Sequence, residues 1–294
     1  MTEQGIRIKS KITIKKKTPS VETTRIKLTI AYDGTGYEGW QCQNVGTGVQ
    51  QLVEAALAKL IPGGPHRLHS SSRTDTGVHA LGMVAHVDLP LGQRRLTPSK
   101  LRPGINAFLP ADIRVLASSR AKPDFHARFH ATGKQYRYLV WNFPAMNPLL
   151  RGRAWHVSAK LDFRAMKNAA RLFVGQHDFR SLATTHPGRV LKNAVRTMTR
   201  CDVKRSGSQL TFIIEGDGFL YKMCRGIVGT LVQVGKGRFS ETDIRKILAA
   251  ENRSAAGMTA PAGGLVLWKV FYAKTGRRRR EETLSASQST VEEE

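Results

Sequence analysis

Acidic residues are scarce in this chain. Its 294 residues hold 22 Asp plus Glu against 47 Lys plus Arg, a formal net charge of +25 at pH 7, and the pI is about 10.6. Such a surface attracts polyanions over long range. Nucleic acid is the partner class that fits first, an anionic membrane surface second. Part of the charge sits near the ends, in Arg7, Lys9, Lys11, Lys15, Lys16 and Lys17 and in the run Arg277 to Arg280. The middle stays basic without them. Cysteine is scarce too. Cys42, Cys201 and Cys224 lie far apart with no CxxC spacing, which excludes a zinc or disulfide framework and fits a reducing, cytoplasmic setting. No run of about 18 apolar residues occurs, which argues against a membrane-spanning helix. The first residues lack the apolar core of a secretory signal. Neither a P-loop, nor a dinucleotide-binding unit, nor a cysteine–histidine metal cluster is read in the chain.

What is present is an ordinary globular middle, 40% apolar. Residues 1–24 read as a disordered basic arm and 276–294 as a disordered charged tail. RIKLTIAYD (25–33) alternates as a strand does. A helix follows, with Thr47 and Gln50 in a capping-box pattern and Val49, Leu52, Val53, Ala56, Leu57 and Leu60 at helical spacing. Residues 66–89 read as strand, polar loop and strand; 97–108 as a short helix; 112–121 as a strand. KQYRYLVWN (134–142) opens a second series. Asp162 caps a helix stopped by Gly175, and a hairpin turns at Ser206-Gly207. A helix is predicted over 219–235, with Leu220, Met223, Ile227, Leu231 and Val234 on its apolar face. Ser240 and Asp243 form a capping box for one more helix, and 263–273 closes with a strand. The class is α+β with a largely antiparallel sheet flanked by helices. It divides into 25–133 and 134–275, two related halves of ferredoxin-like (RRM-like) type.

The polar loop SSRTDTGVHA (71–80) has two readings. Taken alone it is a turn, with Asp75 making an Asx-turn, Gly77 supplying positive φ, and Arg73 a solvated charge. Its setting supplies the second. The loop lies between two strands that would present it rigidly. His66, Arg67, His69 and Arg73 surround it with cationic and imidazole side chains. An acid repels phosphates, so a carboxylate placed among such groups suits a reactive role as nucleophile or base.

This loop resembles the catalytic loop of the TruA-type tRNA pseudouridine synthases. Seven further segments resemble that family in the same order: YDGTGYEGWQCQ (32–43), TGVQQLVEAAL (47–57), GINAFLPADI (104–113), FHARFHATGKQYRY (125–138), HDFRSL (177–182), GDGFLYKMCRGIVGTLVQVGKG (216–237) and APAGG (260–264). Together they span roughly 25–273. Two positions depart from the family loop, where glycine usually stands at Ser72 and alanine at Thr76. Ser72 matters only if the backbone there needs positive φ.

The resemblance implies an isomerase that converts uridine to pseudouridine at positions 38, 39 and 40 in the tRNA anticodon stem-loop. No redox partner, energy source, metal or cofactor is implied. The partners it implies are tRNA and a second copy of the chain, with one tRNA spanning a homodimer. Asp75 matches the family's essential aspartate. Arg73 matches an arginine that fills the space left by a flipped uridine or pairs with its phosphate. Tyr136 matches a tyrosine that stacks on the uracil and is in position to handle the C5 proton. Arg225 matches an arginine that pairs with the aspartate. Leu265 aligns with an apolar residue packed near the base, and core packing explains it equally well. Tyr138 reads as sheet packing, and His79 as a packed loop histidine. His126, His130 and His177 are given phosphate contacts or plain solvation. The competing reading is a non-catalytic RNA-binding protein on the same scaffold.

Overall fold

A computed structural model describes residues 23–41, 46–90, 96–185 and 193–273. Cys42, nearly all of the basic arm expected over 1–24, and the tail expected over 276–294 lie outside the described residues.

The first series is β1 (Thr24–Tyr32), α1 (Val49–Leu60), β2 (His69–Ser70), β3 (His79–Leu89), α2 (Pro98–Asn106) and β4 (Ile113–Arg120). The second is β5 (Ala131–Trp141), β6 (Trp155–His156), α3 (Phe163–Arg171), β7 (Gly175–Asp178), β8 (Val195–Ser206), β9 (Gln209–Gly216), α4 (Met223–Gly235), α5 (Glu241–Ala249) and β10 (Leu265–Tyr272). β5 thus starts ahead of the division drawn after residue 133. All ten strands join one sheet, ordered β4-β1-β3-β10-β5-β9-β8-β7, with β2 beside β3 and β6 beside β5. Pairing is antiparallel except at β3–β10 and β5–β6. The class is α+β, as the alternation of strand and helix patterns predicted.

Each series lays down its strands in one order. The first runs β4-β1-β3-β2 and the second β10-β5-β9-β8, antiparallel throughout. The seam between them is short and parallel, Val266 facing His79 and Leu267 facing Ala80. Period-two burial builds the core: Ile26, Leu28, Ile30 and Tyr32 of β1 point inward and are almost fully buried. Among the described residues no helix is long and apolar enough to cross a membrane.

Two helix starts differ from expectation. Gly48, not Thr47, is the N-cap of α1, and no side chain caps it. The Thr47 carbonyl instead accepts from the Glu38 N–H, and the Val49 N–H donates to Gly39 O, so tertiary pairing carries the chain past the capping-box position. Gln50 donates to Glu54 and to Leu68 O. α4 begins at Met223, not at 219. Lys222 sits ahead of it at φ 58°, a conformation few non-glycine residues adopt. The Thr184 N–H draws off the Tyr221 carbonyl, so Phe219 and Leu220 stay irregular and the chain turns at Tyr221 and Lys222. Apart from Arg225, every residue of α4 is buried. The capping boxes fare differently at α5, where Ser240 and Asp243 make both reciprocal bonds.

Candidate active site

Residues 71–78 connect β2 to β3, and neighbouring backbone pins them. Ser71 N–H donates to Val84 O at 2.8 Å, Trp40 N–H to Thr74 O at 3.2 Å, and Gly77 N–H to Tyr37 O at 3.2 Å. The Tyr32 and Thr74 hydroxyls meet at 2.8 Å. Inside the loop the Val78 N–H closes a turn onto Asp75 O at 3.1 Å, and Gly77 takes φ +75°. Gly39 approaches so closely that a Cβ there would strike the Thr74 carbonyl. The Gly34, Gly36 and Gly39 spacing has the letters of a dinucleotide fingerprint, but β1 pairs antiparallel on both sides, and Gly34 and Gly39 serve this clamp by their close approach to Val78 and Thr74.

The loop presents Asp75 to α4. Arg225, in the first turn of that helix, places Nη1 3.1 Å from Asp75 Oδ2. Both side chains are largely shielded, 14% exposed for Arg225 and 20% for Asp75. Arg225 is itself held, since its Nε donates to Ala260 O at 2.7 Å and its carbonyl accepts from the Ala260 N–H at 3.1 Å. A charge-assisted bond between groups this shielded orients both partners.

Asp75 opens onto a cavity of about 1050 Å³. Arg73, Tyr136 and Leu265 also line it, so four of the five residues singled out above share one wall and the fifth, Arg225, grips the carboxylate from behind. Arg73 is exposed, whereas Leu265 is buried at the head of β10. The Tyr136 ring meets Phe219 edge-on at 5.1 Å, and its hydroxyl lies 3.4 Å from the Ser72 hydroxyl. Burial, reinforced by Cys224 and Asp75, pushes the Tyr136 phenol far above its ordinary range against the opposing Ser72 bond. It therefore remains protonated. Five basic residues line the cavity, Arg67, Arg73, Arg128, Lys134 and Lys222, against the carboxylates Glu54 and Asp75.

Lining residues to which the sequence reading gave no role include Phe219, Cys224 and Lys134. Phe219 was assigned to a helix that starts after it. Burial, then the nearby Asp75, raises the Cys224 thiol well above its usual value, so it is an inert wall. Lys134 carried a usable signal, standing two residues before Tyr136 on one strand and so on the same face.

His79 is a structural residue. Its Nδ1 lies 3.0 Å from Gly34 N and 3.1 Å from Asp33 Oδ1, and its Nε2 2.9 Å from Gly263 O. Burial raises the Asp33 carboxyl, but the Thr35 hydroxyl and amide, with Arg153 and His79, outweigh it and hold it at about 2. Tyr138 packs in the sheet interior, its hydroxyl donating to Pro261 O at 2.8 Å. His126 lines the far end of the cavity, its ring 4.2 Å from that of Phe129.

The model of a family described as tRNA pseudouridine synthase matches residues 28–130 and 169–273. The chain belongs to that family. The tRNA pseudouridine synthase A of Syntrophotalea carbinolica is 46% identical to it, over 84% of this chain and 96% of that protein. Its counterpart in Geobacillus kaustophilus is 45% identical over 85% and 95%, and that in Methylacidiphilum infernorum 42% over 84% and 94%. The two departures from the synthase loop are harmless in structure. Among the described residues only Lys222 and Glu251 combine a side chain with positive φ, so the backbone at Ser72 makes no demand for glycine. Thr76 turns its hydroxyl away from the carboxylate and donates to Glu38 Oε2 at 3.1 Å.

Proposed function

We propose that this chain isomerises uridine to pseudouridine in tRNA, at positions 38, 39 and 40 of the anticodon stem-loop, with Asp75 as the catalytic carboxylate. The observation that carries the reading is the Asp75–Arg225 pair, 3.1 Å apart at the edge of a basic, nucleotide-sized cavity. In this reaction the N1–C1′ bond breaks and a C5–C1′ bond forms. The C5 proton leaves and N1 gains one, so atoms balance without an outside reagent. Asp75 drives the bond exchange. Arg225 holds its orientation. Tyr136 offers a ring to the flipped uracil and a protonated hydroxyl to its edge. Leu265 closes the apolar side, and exposed Arg73 fills the gap in the RNA stack or meets the phosphate.

The matching antiparallel strand orders support the reading of two ferredoxin-like halves, and the lining charges support that of a basic cleft. We take the working unit to be a cytoplasmic homodimer that one tRNA spans. The test is to map pseudouridine by carbodiimide labelling and primer extension after incubation with unmodified tRNA, EDTA present and no cofactor added. Stops at 38–40 with the wild type alone, and none with Asp75→Asn, are expected. Tight binding without stops from the wild type favours the non-catalytic RNA-binding protein.

A further inference from the structure

Lys134 is an anomaly of the cavity wall. It is half-buried and lines the cavity on β5, and no ion pair of the described residues reaches it. Burial, with the charges of Arg128 and Arg196 added, lowers its ammonium to about 8. Cys224, the one group whose charge would favour the ammonium, is a neutral thiol. The two carboxylates of the wall are engaged elsewhere. Asp75 is held by Arg225 at 3.1 Å, and Glu54 accepts from the Leu68 N–H at 2.8 Å and from Gln50. A partly desolvated cation with no partner costs the fold free energy, and a methionine of similar length would not. The fold therefore keeps a group that its own contacts disfavour, which is the mark of a site awaiting an anion.

We infer that Lys134 is a phosphate-binding residue, which takes the backbone phosphate adjoining the target uridine as the counter-charge that no described residue supplies. This rests on the proposed synthase reading, since the anion is placed by the base stacked on Tyr136. Lys134 and Tyr136 are two residues apart on one strand, so their Cα atoms are about 7 Å apart and their side chains share a face. A base on the tyrosine ring brings the adjoining sugar–phosphate over the lysine. Arg128, also in the wall, supplies a second positive charge to the same anion. In an enclosed pocket such a contact is stronger than one at an open surface, because water competes less.

The test uses the full-length protein and anticodon stem-loop RNAs that each carry one methylphosphonate, which removes the charge of a single linkage, at successive positions around the target uridine. For the wild type, KM is expected to rise about tenfold at one linkage adjoining that uridine, the scale of a lost charge-assisted bond. Lys134→Met is expected to raise KM about tenfold on unmodified RNA and to show no further rise at that linkage. Its kcat should stay within about threefold, and its melting temperature should equal or exceed that of the wild type. Lys134→Arg, which keeps the charge, should restore a KM close to the wild-type value. A Lys134→Met protein with wild-type KM, or one that stays as sensitive to that linkage as the wild type, overturns the inference. So does a loss confined to kcat, which would make the lysine a proton-transfer group. Failure of the synthase reading looks different: the wild type then makes no pseudouridine from unmodified RNA.

Discussion

The two series of strands share an order and part company at one connection. Between β2 and β3 the chain spends residues 71–78 on a loop pinned from several sides, with Asp75 at its centre. Between β8 and β9, the same place in the second series, it spends Gly207 and Ser208 on a tight turn in the open. Both connections hold a glycine at positive φ, +75° at Gly77 and +57° at Gly207. In one the glycine shapes a site, while in the other it only reverses the chain. The second series contributes by other means, through Arg225 on α4 and through Lys134 and Tyr136 on β5. On the proposed reading, a repeated frame separates the reactive group from the groups that position it, and the chemistry resides in the connections rather than in the strand order.

The comparison breaks first at Asp75. Asp75→Asn is expected to lower kcat by three orders of magnitude or more, as loss of a reactive group does, while binding of the RNA in a filter assay stays within about threefold. Residual turnover near the wild type would remove the first series' loop from the chemistry. Next comes the contribution of the second series. Arg225→Met is expected to cost about a hundredfold in kcat, in line with loss of one preorganised electrostatic contact, with little change in KM. Arg225→Lys should recover only part of that, because lysine cannot hold Ala260 O and Asp75 together.

A smaller effect separates the two glycines. Alanine at either position forces a side chain into the left-handed region and costs about 1–2 kcal/mol, seen as a lower midpoint in thermal unfolding. Only Gly77→Ala should also lower kcat, by about tenfold, because misplacing a reacting group by an ångström is enough for that. Equal activities for the two variants would mean that the pinned loop tolerates displacement.

The smallest effect is a pH response confined to the first series. His86 accepts the Ala127 N–H at 3.1 Å, which needs an unprotonated ring. Burial foremost, then His126, Arg25 and His69 against the opposing Asp88, lowers it from 6.5 to about 4. The unfolded chain takes up this proton near pH 6.5 and the folded chain only near 4, so stability is complete above 6.5 and declines as the pH falls through that window. Denaturant midpoints recorded from pH 7 to 4 should therefore fall less for His86→Gln than for the wild type. Identical slopes would assign the acid sensitivity to other groups.

Much of this was legible before any coordinates. Strand alternation in 25–33, the Asp162 cap and the Ser240–Asp243 box are local, and local rules hold where neighbours do not intervene. The Asp162 side chain does accept from Ala165 N–H at 3.0 Å. The failures share one cause. Thr47 and the stretch 219–222 had the right pattern for a helix start, but bonds from Glu38 and Thr184, remote in sequence, drew their carbonyls elsewhere. At the candidate site, Asp75, Arg73, Tyr136, Arg225 and Leu265 were reached through motifs; Phe219 was not, since nothing in its spacing says what surrounds it, and Lys134 was not, although its place two residues before Tyr136 puts it on the same face.

By itself the sequence determined the alternation of elements, the basic charge balance and the motif that proposes Asp75 as the reactive carboxylate, because periodicity, charge and motif are properties of short stretches. Tertiary structure alone decided that β10 returns to lie between β3 of the first series and β5 of its own. It also decided that residues 150 positions apart meet at 3.1 Å and that Lys134, in the wall, has no counter-charge among the described residues. Those outcomes depend on which surfaces exclude water together. No local pattern encodes that, because burial is a property of the assembled sheet and helices rather than of any one segment.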